Sequence, residues 1–275
     1  MQVLTESELW RTSSDPVHVA RMESGAGLDG DAVATRTQVT YTRPNGHEVC
    51  VPLLEADAGD IDGARMARPI PKYRGRRNYS GFDVVMTGGR TIEFESRLEH
   101  ARIMIADFDP AVTAITSQPM RLTYTPRGGK AVNHYPDLLL LTTSGPLLVD
   151  VTSENALHKA KRVAIFTWTA AAVRAVGWRY EVWSGADPIA MANLTLLSAC
   201  RRPMVVDSEI VTQACAFARS TQMNDLVDQL STRFPPMLVK PAVRHALWRG
   251  MYRSDMSESL QGDSWLTYVP GMVVQ

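Results

Sequence analysis

The chain has 275 residues, of which 45% are hydrophobic, so it can bury one large core or two smaller ones. It contains 29 Lys and Arg residues and 29 Asp and Glu residues, and this zero formal charge excludes a global electrostatic attraction to nucleic acid. Its three cysteines, Cys50, Cys200 and Cys215, are far apart in the sequence. This spacing argues against a disulfide scaffold and against a zinc site, and it is typical of a reducing compartment.

No targeting or membrane-spanning segment is visible in the sequence. The segment MQVLTESELWRTSSDP has no basic stretch followed by an apolar one, and no apolar run reaches the length that crosses a bilayer. We therefore expect a cytoplasmic protein without a membrane partner.

The first segment, residues 1–77, divides into an arm, a hairpin and a basic linker. Residues 1–34 are polar and aperiodic, which predicts a loose arm. The stretch TQVTYTRPNGHEVCVPLL alternates apolar and polar residues on both sides of Asn45-Gly46, which predicts a β-hairpin. The linker that follows ends in a basic half with interleaved Tyr73 and Tyr79; its cations are Arg65, Arg68, Lys72, Arg74, Arg76 and Arg77.

The second segment, residues 78–200, has an α/β pattern. Leu98, Ala101, Ile105 and Phe108 fall at spacings of three and four residues, which predicts a helix that stops before Pro110. The stretches MRLTYTP, AVNHYPDLLLL and GPLLVDVT then read as strands. A long helix ending at Gly177, a strand in RYEVWS and a helix in PIAMANLTLLS complete an α/β plan on a mixed sheet flanked by helices.

In the third segment, residues 201–275, the α/β pattern gives way to short helical stretches. DSEIVTQACAFARS, MNDLVDQLS and PPMLVKPAVRHALWRG predict three short helices, and MYRSDMSESLQGDSWLTYV predicts a hairpin. Three helices followed by a hairpin are the outline of a small, mainly helical winged-helix-like domain.

Two aspartates lie among the aliphatic residues of HYPDLLLLTTSGPLLVDVTS. If the turn centres on Ser144-Gly145, Asp150 lies opposite Leu139 and Thr152 opposite Asp137. Asp137 and Asp150 then share one face of the sheet as diagonal neighbours with Cβ atoms roughly 7–8 Å apart. Carboxylates at such a separation can bridge Mg²⁺.

A third acid could come from the preceding helix, where Glu99 lies at the edge of the apolar stripe, one turn after Glu95. The structural alternative is that Asp137 is a cap residue after Pro136 and Asp150 a hydrogen-bonded core carboxylate. A single PD-x₁₂-D pattern does not decide between these readings.

The run from Asn78 to Leu197 resembles the TnsA endonuclease subunit of heteromeric transposases. The similar stretches are ESRLEHARIMIADFDPAVTAITSQP, HYPDLLLL, LLVDVTS and GWRYEVWSGADP, in the same order. The resemblance implies a restriction-endonuclease-like core that cuts the 5′ ends of a transposon by phosphodiester hydrolysis, while a DDE transposase partner joins the 3′ ends. It also implies a catalytic site of Glu99, Asp137 and Asp150 holding Mg²⁺, with Mn²⁺ able to substitute.

One residue departs from the family pattern. The position two residues after the second strand acid is a lysine in the family and is Thr152 here. A threonine at this catalytic position offers a hydrogen bond but no positive charge. Lys159 or Lys161 could replace the lysine, although both also fit a solvated helix face. The departure leaves a catalytically weakened DNA-binding or assembly subunit as an alternative function, beside a restriction or repair nuclease with the same core.

The resemblance also suggests DNA contacts and partners. Lys72, Arg74, Arg76 and Arg77 are candidates to hold DNA phosphates. His134, which strand parity places on the face opposite Asp137, could contact DNA or cap its strand. Gln118 in the Gln-Pro pair is interpreted as a turn amide. The C-terminal domain could read DNA, but its acidic stretches favour docking to the partners that the family implies, a DDE transposase and an AAA+ ATPase regulator.

Overall fold

A computed structural model of the chain describes residues 6–68 and 79–270, and it is a mixed α/β protein. Contacts divide the chain into two compact units, one of residues 11–185 and the other of the residues before 11 together with those from 186 onward. This division differs from the three predicted segments: the arm from residue 11 onward and the hairpin lie in the same unit as residues 78–185 of the predicted core, while residues 186–200 lie in the other unit. Within the described ranges, no helix combines the length and the apolar character needed to cross a bilayer.

The N-terminal segment is helical, so the prediction of a loose arm was wrong. Its helices are α1 (Glu6–Trp10), α2 (Pro16–Glu23) and α3 (Gly30–Ala34). Asp15 and Asp29 cap α2 and α3 by accepting hydrogen bonds from backbone N–H groups. These helices are too short for a helical period to stand out in the sequence. Their buried apolar residues are Val19, Met22, Val33 and Ala34.

The predicted hairpin is confirmed and forms part of a four-stranded sheet. Its strands are β1 (Thr37–Thr42) and β2 (Glu48–Pro52), which pair antiparallel across a turn that contains Gly46. The short helix α4 (Ala58–Ile61) follows. The other two strands of this sheet are β6 (Arg121–Tyr124) and β7 (Val132–His134), and the order is β2-β1-β6-β7.

A second sheet of four strands carries the candidate site. Its order is β10-β9-β8-β5, with β5 at Val112–Ser117, β8 at Leu138–Thr142, β9 at Gly145–Val151 and β10 at Arg179–Trp183. β9 and β10 are parallel and the other neighbours are antiparallel, so the sheet is mixed, as predicted. Strand β5 was not predicted.

Two further differences concern the segments around these strands. The stretch AVNHYPDLLLL was expected to be one strand, but β7 and β8 lie in different sheets because the chain bends between them at Pro136 and Asp137. A separate hairpin of β3 (Gly81–Val84) and β4 (Thr91–Phe94) precedes the predicted helix.

Three helices lie along this part of the chain. They are α5 (Arg97–Phe108), α6 (Glu154–Leu157) and α7 (Ala160–Ala175). The buried part of α5 is wider than the predicted stripe, because the consecutive residues 102–107 are all buried, whereas Leu98 and Phe108 are half-buried. Helix α7 packs against α2, α3 and β10, and its buried residues join one apolar core with those of both four-stranded sheets.

The second unit is mainly helical. It contains α8 (Pro188–Ser198), α9 (Ser208–Ala216), β11 (Thr221–Gln222), α10 (Met223–Ser231), α11 (Pro236–Trp248), β12 (Tyr252–Arg253) and β13 (Trp265–Tyr268). The three short strands form a sheet of order β11-β13-β12. The three predicted helices and the predicted hairpin are therefore present.

Candidate active site

The pairing of β8 with β9 sets the positions of the two strand aspartates. Leu139 pairs with Leu148, where Asp150 was expected, so the predicted register was wrong by two residues. The cause is the turn, which consists of residues 143–144, so that Gly145 already begins β9 with a φ of 99°. A shift of two residues keeps each side chain on its expected face, and Leu139, Leu148 and Asp150 therefore still share one face.

Asp137 lies in the bend just before β8 and is fixed by three hydrogen bonds. Its backbone N–H donates to the carbonyl oxygen of Val149 at 3.1 Å, and its carbonyl oxygen accepts from the N–H of Gln118 at 2.7 Å. Its carboxylate Oδ2 accepts from the N–H of Val151 at 2.7 Å. The carboxylate of Asp137 thus accepts from a strand N–H, that of Val151, in the place of a neighbouring strand. This bond holds the carboxylate against the end of β9.

Asp150 is a buried carboxylate with two side-chain donors. Only 2% of the residue is exposed, and its Oδ2 accepts from Nε2 of His134 at 2.8 Å and from the hydroxyl of Tyr180. The His134 ring in turn meets Phe166 and Trp168 edge-on, with ring centres 6.4 and 6.1 Å apart. Burial, followed by the charge of Asp150, raises the pKa of Tyr180 well above its ordinary value, so Tyr180 remains a donor at neutral pH.

The position of His134 contradicts its prediction as a DNA contact. Its side chain is 11% exposed and donates to Asp150, so it does not present an imidazole to a ligand at the surface. The strand-parity argument failed because His134 belongs to β7 and not to the strand that carries Asp137.

The electrostatics of Asp137 show that three acids lie close together. Asp137 is half-buried, and burial raises its pKa well above the ordinary value of 3.8. The negative charges of Asp150 and Glu99 raise this pKa further, while the N–H of Val151 and the positive charge of Arg162 oppose the rise. The charges of Asp150 and Glu99 therefore oppose the ionisation of Asp137, and these three residues, Glu99, Asp137 and Asp150, are here called the acidic cluster.

Glu99 also has a structural role at the start of α5. The hydroxyl of Ser96 accepts from the N–H of Glu99 at 3.1 Å and donates to its Oε1 at 3.0 Å. Its Oε2 accepts from the N–H of Glu95 at 2.8 Å, one residue before the N-cap, so the arrangement resembles a capping box. Burial raises the pKa of Glu99, and the charge of Glu95 raises it further.

Two buried side-chain atoms beside these acids have no hydrogen-bond partner among the described residues. One is Oγ1 of Thr152, a residue that is 4% exposed and follows β9 instead of pairing with Asp137 as predicted. The other is Oε1 of Gln118, which is 2% exposed and has a φ of 40°. A buried polar atom without a partner costs about 1–3 kcal/mol, so each marks a place where a ligand atom would be favourable.

Sequence reasoning gave too little weight to Gln118. It was interpreted as a turn amide, but its N–H bonds to Asp137, and its left-handed backbone is strained for a residue other than glycine. The available signal was the Gln-Pro pair, which the resemblance already placed near the site.

The basic residues divide into three groups. Lys72, Arg74, Arg76 and Arg77 lie outside the described residues. Lys159 and Lys161 are exposed at the start of α7. Arg162, which was not predicted, is the cation whose charge acts on Asp137, and its guanidinium lies 5.9 Å from the ring centre of Phe166. Its signal in the sequence was its position beside the two lysines that were considered.

The donor chemistry of the acidic cluster fits a hard divalent cation. The cluster offers only oxygen ligands, which Mg²⁺ and Mn²⁺ prefer. A cation would relieve the repulsion around Asp137, and Oγ1 of Thr152 is a further oxygen without a partner. Among the described residues, however, the acidic cluster is not a group of three whose ligand atoms all lie within 4.8 Å of one another. The group that meets this distance consists of Asp15, His18 and His158. A cation that contacts all three acids would therefore draw Glu99 away from its capping bonds.

Comparisons with known proteins leave the resemblance at the level of motifs. No protein-family model matches the chain, and no curated protein matches it. The functional argument therefore rests on the residues of the acidic cluster and on the order of the motifs around them.

Proposed function

We propose that the chain is a metal-dependent DNA endonuclease subunit of a heteromeric transposase and that it cuts the 5′ ends of the transposon. The observation that carries the proposal is the position of Asp137 at the end of β9, where its Oδ2 accepts from the N–H of Val151 at 2.7 Å and where the charges of Asp150 and Glu99 oppose its ionisation. Like charges brought together in a half-buried place are typical of sites that bind a cation or transfer protons. The transposase context is taken from the order of the motifs.

In this proposal, Glu99, Asp137 and Asp150 hold Mg²⁺ or Mn²⁺. The ion would supply positive charge that neutralises the attacked phosphate and lowers the pKa of a water molecule. The chain's own residues orient this site. His134 and Tyr180 hold Asp150 from the core side, and the N–H of Val151 holds Asp137. Hydrogen bonds from behind a ligand group, as here, fix the direction in which its oxygen points.

Arg162 supplies the positive charge that Thr152 lacks. Its side chain is exposed, and its charge opposes the rise in the Asp137 pKa that burial causes. A phosphate that approaches Asp137 from the solvent would therefore meet this guanidinium, which binds phosphate oxygens well. Lys159 and Lys161 have the alternative role of contacting DNA farther along the backbone.

The second unit is proposed to be a winged-helix-like docking domain. Its order α9, β11, α10, α11, β12, β13 is that of a winged helix, and α10 exposes Asp225 and Asp228. Acidic residues on this helix disfavour contact with phosphates. We therefore assign this unit to binding a DDE transposase or an AAA+ ATPase regulator.

One competing function is favoured by specific residues. A weakened assembly subunit of the same machine would explain Thr152 at the lysine position and an Asp150 that is 2% exposed with its Oδ2 already bonded. Such a subunit would bind transposon ends and partners without cutting.

The test is 5′-end cutting by the full chain with its partner proteins, Mg²⁺ and transposon-end DNA. The variant is Asp137→Asn, which keeps an oxygen to accept from Val151 but removes the charge of a metal ligand. We expect 5′ cutting to fall by at least about 10²-fold, while 3′ joining by the partner continues. The control is Asp60→Asn, since Asp60 is an exposed acid paired with Arg43 on the hairpin side. Undiminished 5′ cutting by folded Asp137→Asn protein would overturn the proposal, and absent cutting by the wild type would favour the assembly subunit.

A further inference from the structure

A second group of metal-ligating side chains lies outside the acidic cluster. Asp15, His18 and His158 each offer one ligand atom, and these atoms all lie within 4.8 Å of one another. Asp15 and His18 are half-buried and His158 is exposed, so the group can be reached from solvent. These three residues are called the histidine cluster below.

The hydrogen bonds around the histidine cluster leave lone pairs free for a metal. Nε2 of His18 lies 3.3 Å from the carbonyl oxygen of Leu157. A carbonyl oxygen can only accept, so Nε2 must carry the hydrogen, and Nδ1 then has the lone pair. A metal-binding histidine commonly donates its second N–H to a carbonyl in this way.

The other two residues are similarly placed. Asp15 uses Oδ1 to accept from the backbone N–H of His18 at 2.9 Å, which leaves its second carboxylate oxygen for a metal. The rings of His18 and His158 stack with centres 4.7 Å apart and planes inclined by 23°. Stacking brings the two imidazoles together although α2 and the end of α6 are distant in sequence.

We propose that Asp15, His18 and His158 form a binding site for a borderline first-row divalent cation, of which Zn²⁺ is the best match. Two imidazoles and one carboxylate are a ligand set that Zn²⁺ accepts, with a water in the fourth position. Mg²⁺ would be a poor occupant because it prefers oxygen ligands. The cysteine spacing that argued against zinc does not bear on this set, which contains no cysteine.

Coordination requires one ring to leave the stack, because the lone pair of an imidazole lies in its ring plane and stacked rings do not direct both lone pairs at one ion. Zn–N bonds are about 2.0–2.1 Å long, so ligand atoms around a tetrahedral zinc lie roughly 3.4 Å apart. His158 is exposed and follows the last residue of α6, so its ring can rotate toward the other two. Closing this gap needs no change in the core.

The bound ion would join two segments that flank the sheet of the acidic cluster. One is α2, whose last residue, Glu23, accepts from the N–H of Val182 at 2.5 Å. The other is the junction between α6 and α7, which lies between Thr152 and Arg162. We infer that zinc acts here as a clamp, because a ligand that binds only the folded state stabilises it.

The test is a calorimetric titration of the full chain with ZnCl₂, after treatment with EDTA and dialysis, together with the melting temperature. We expect one Zn²⁺ per chain and a rise in Tm of several degrees. His158→Ala should weaken zinc binding by about 10–100-fold, and so should Asp15→Asn, which keeps the cap on α2. Since His158 is exposed, its alanine variant should keep the fold, which circular dichroism can check.

Two control variants separate this site from adventitious binding. His47→Ala removes an exposed histidine of the hairpin turn, and Cys50→Ser removes the exposed thiol. Both should bind Zn²⁺ as the wild type does. The proposal is overturned if the wild type binds no Zn²⁺, if folded His158→Ala binds it unchanged, or if Cys50→Ser loses it. The readout requires no DNA cutting, so it is independent of the proposed nuclease function.

Discussion

The acidic cluster and the histidine cluster differ in what surrounds their ligands. Asp150 is 2% exposed and bonded to His134 and Tyr180, whereas His158 is exposed. Burial and the charges of Asp150 and Glu99 raise the pKa of Asp137, so a cation beside the acidic cluster would favour the ionised form of Asp137. The histidine cluster has no such accumulation of negative charge. Its two imidazole nitrogens are softer ligands than carboxylate oxygens, and this difference decides which metal ion it would bind. One unit can therefore offer two sites that would take different metals.

The two clusters also differ in how the sequence reveals them. Alternation along a strand predicted that Asp150 faces the same way as Leu139, and an error of two residues in the register did not change that face. The histidine cluster joins residues from α2 and from the end of α6, which no local pattern connects. Sequence spacing finds ligands on neighbouring strands and misses ligands on distant segments.

The substitution with the largest expected effect at the acidic cluster is Arg162→Ala. We expect Arg162→Ala to lower the rate of 5′ cutting by on the order of 10²-fold, because it removes preorganised charge near the attacked phosphate. Thr152→Lys in the Arg162→Ala background should restore part of the rate. The measurement is a single-turnover cleavage assay.

Lys161→Ala is the matched control for Arg162→Ala, since Lys161 is an exposed neighbour on the same helix. Because Lys161 is proposed to contact DNA farther along the backbone, its loss should slow cutting far less than Arg162→Ala does. If Lys161→Ala or Lys159→Ala slows cutting and Arg162→Ala does not, the replacement cation is a lysine and our assignment of Arg162 is wrong.

The next effect concerns the core side of the acidic cluster. Tyr180→Phe removes the hydroxyl that donates to Asp150, and a hydrogen bond to a charged group contributes about 1.5–3 kcal/mol. We expect the free energy of unfolding, measured by urea denaturation, to fall by about this amount.

Tyr252→Phe offers a comparison for Tyr180→Phe, because the hydroxyl of Tyr252 donates at 2.8 Å to a neutral acceptor, the carbonyl oxygen of Ala214. The loss for Tyr252→Phe should be smaller, about 0.5–1.5 kcal/mol. Equal losses in the two variants would argue that Asp150 is not charged in the folded protein.

The sequence predicted the strands and helices of the core better than their connections. Two apolar runs around a turn were enough to find β8 and β9. The bend at Pro136 and Asp137, which separates β7 from β8, was missed because the whole stretch was read as one strand, although proline and aspartate are typical turn residues. That error placed His134 on the wrong strand and hid its bond to Asp150. The role of Glu23 was also hidden, since a helix of eight residues shows little period.

The smallest expected effect on stability belongs to Gln118. Gln118→Gly relieves a left-handed backbone, and the gain is offset by the greater freedom of glycine in the unfolded state. We expect the free energy of unfolding to change by less than about 1 kcal/mol while 5′ cutting decreases, because the amide next to Asp137 is lost. Ala218→Gly, at the other positive-φ residue that is not glycine among those described, should leave cutting unchanged. Equal cutting by Gln118→Gly and the wild type would remove Gln118 from the site.

The acids around Asp137 are proposed to bind a cation, and the pH dependence of stability that follows has a definite sign. Burial raises the pKa of Asp137 above the ordinary value of 3.8, so the folded state keeps this proton to a higher pH than the unfolded state does. Stability must therefore decrease as the pH rises from about 4 through the raised pKa of the folded state. A cation binds the ionised form and should oppose this decrease.

The most direct test measures Tm by calorimetry across this pH range for the wild type and Asp137→Asn, with and without Mg²⁺. The His158→Ala background excludes any contribution from the histidine cluster. Without Mg²⁺, the Tm of Asp137→Asn minus the Tm of the wild type should increase as the pH rises. Mg²⁺ should raise the Tm of the wild type more at high pH than at low pH, and should have little effect on Asp137→Asn. A difference in Tm that does not change with pH, or an equal effect of Mg²⁺ on both proteins, would contradict the account.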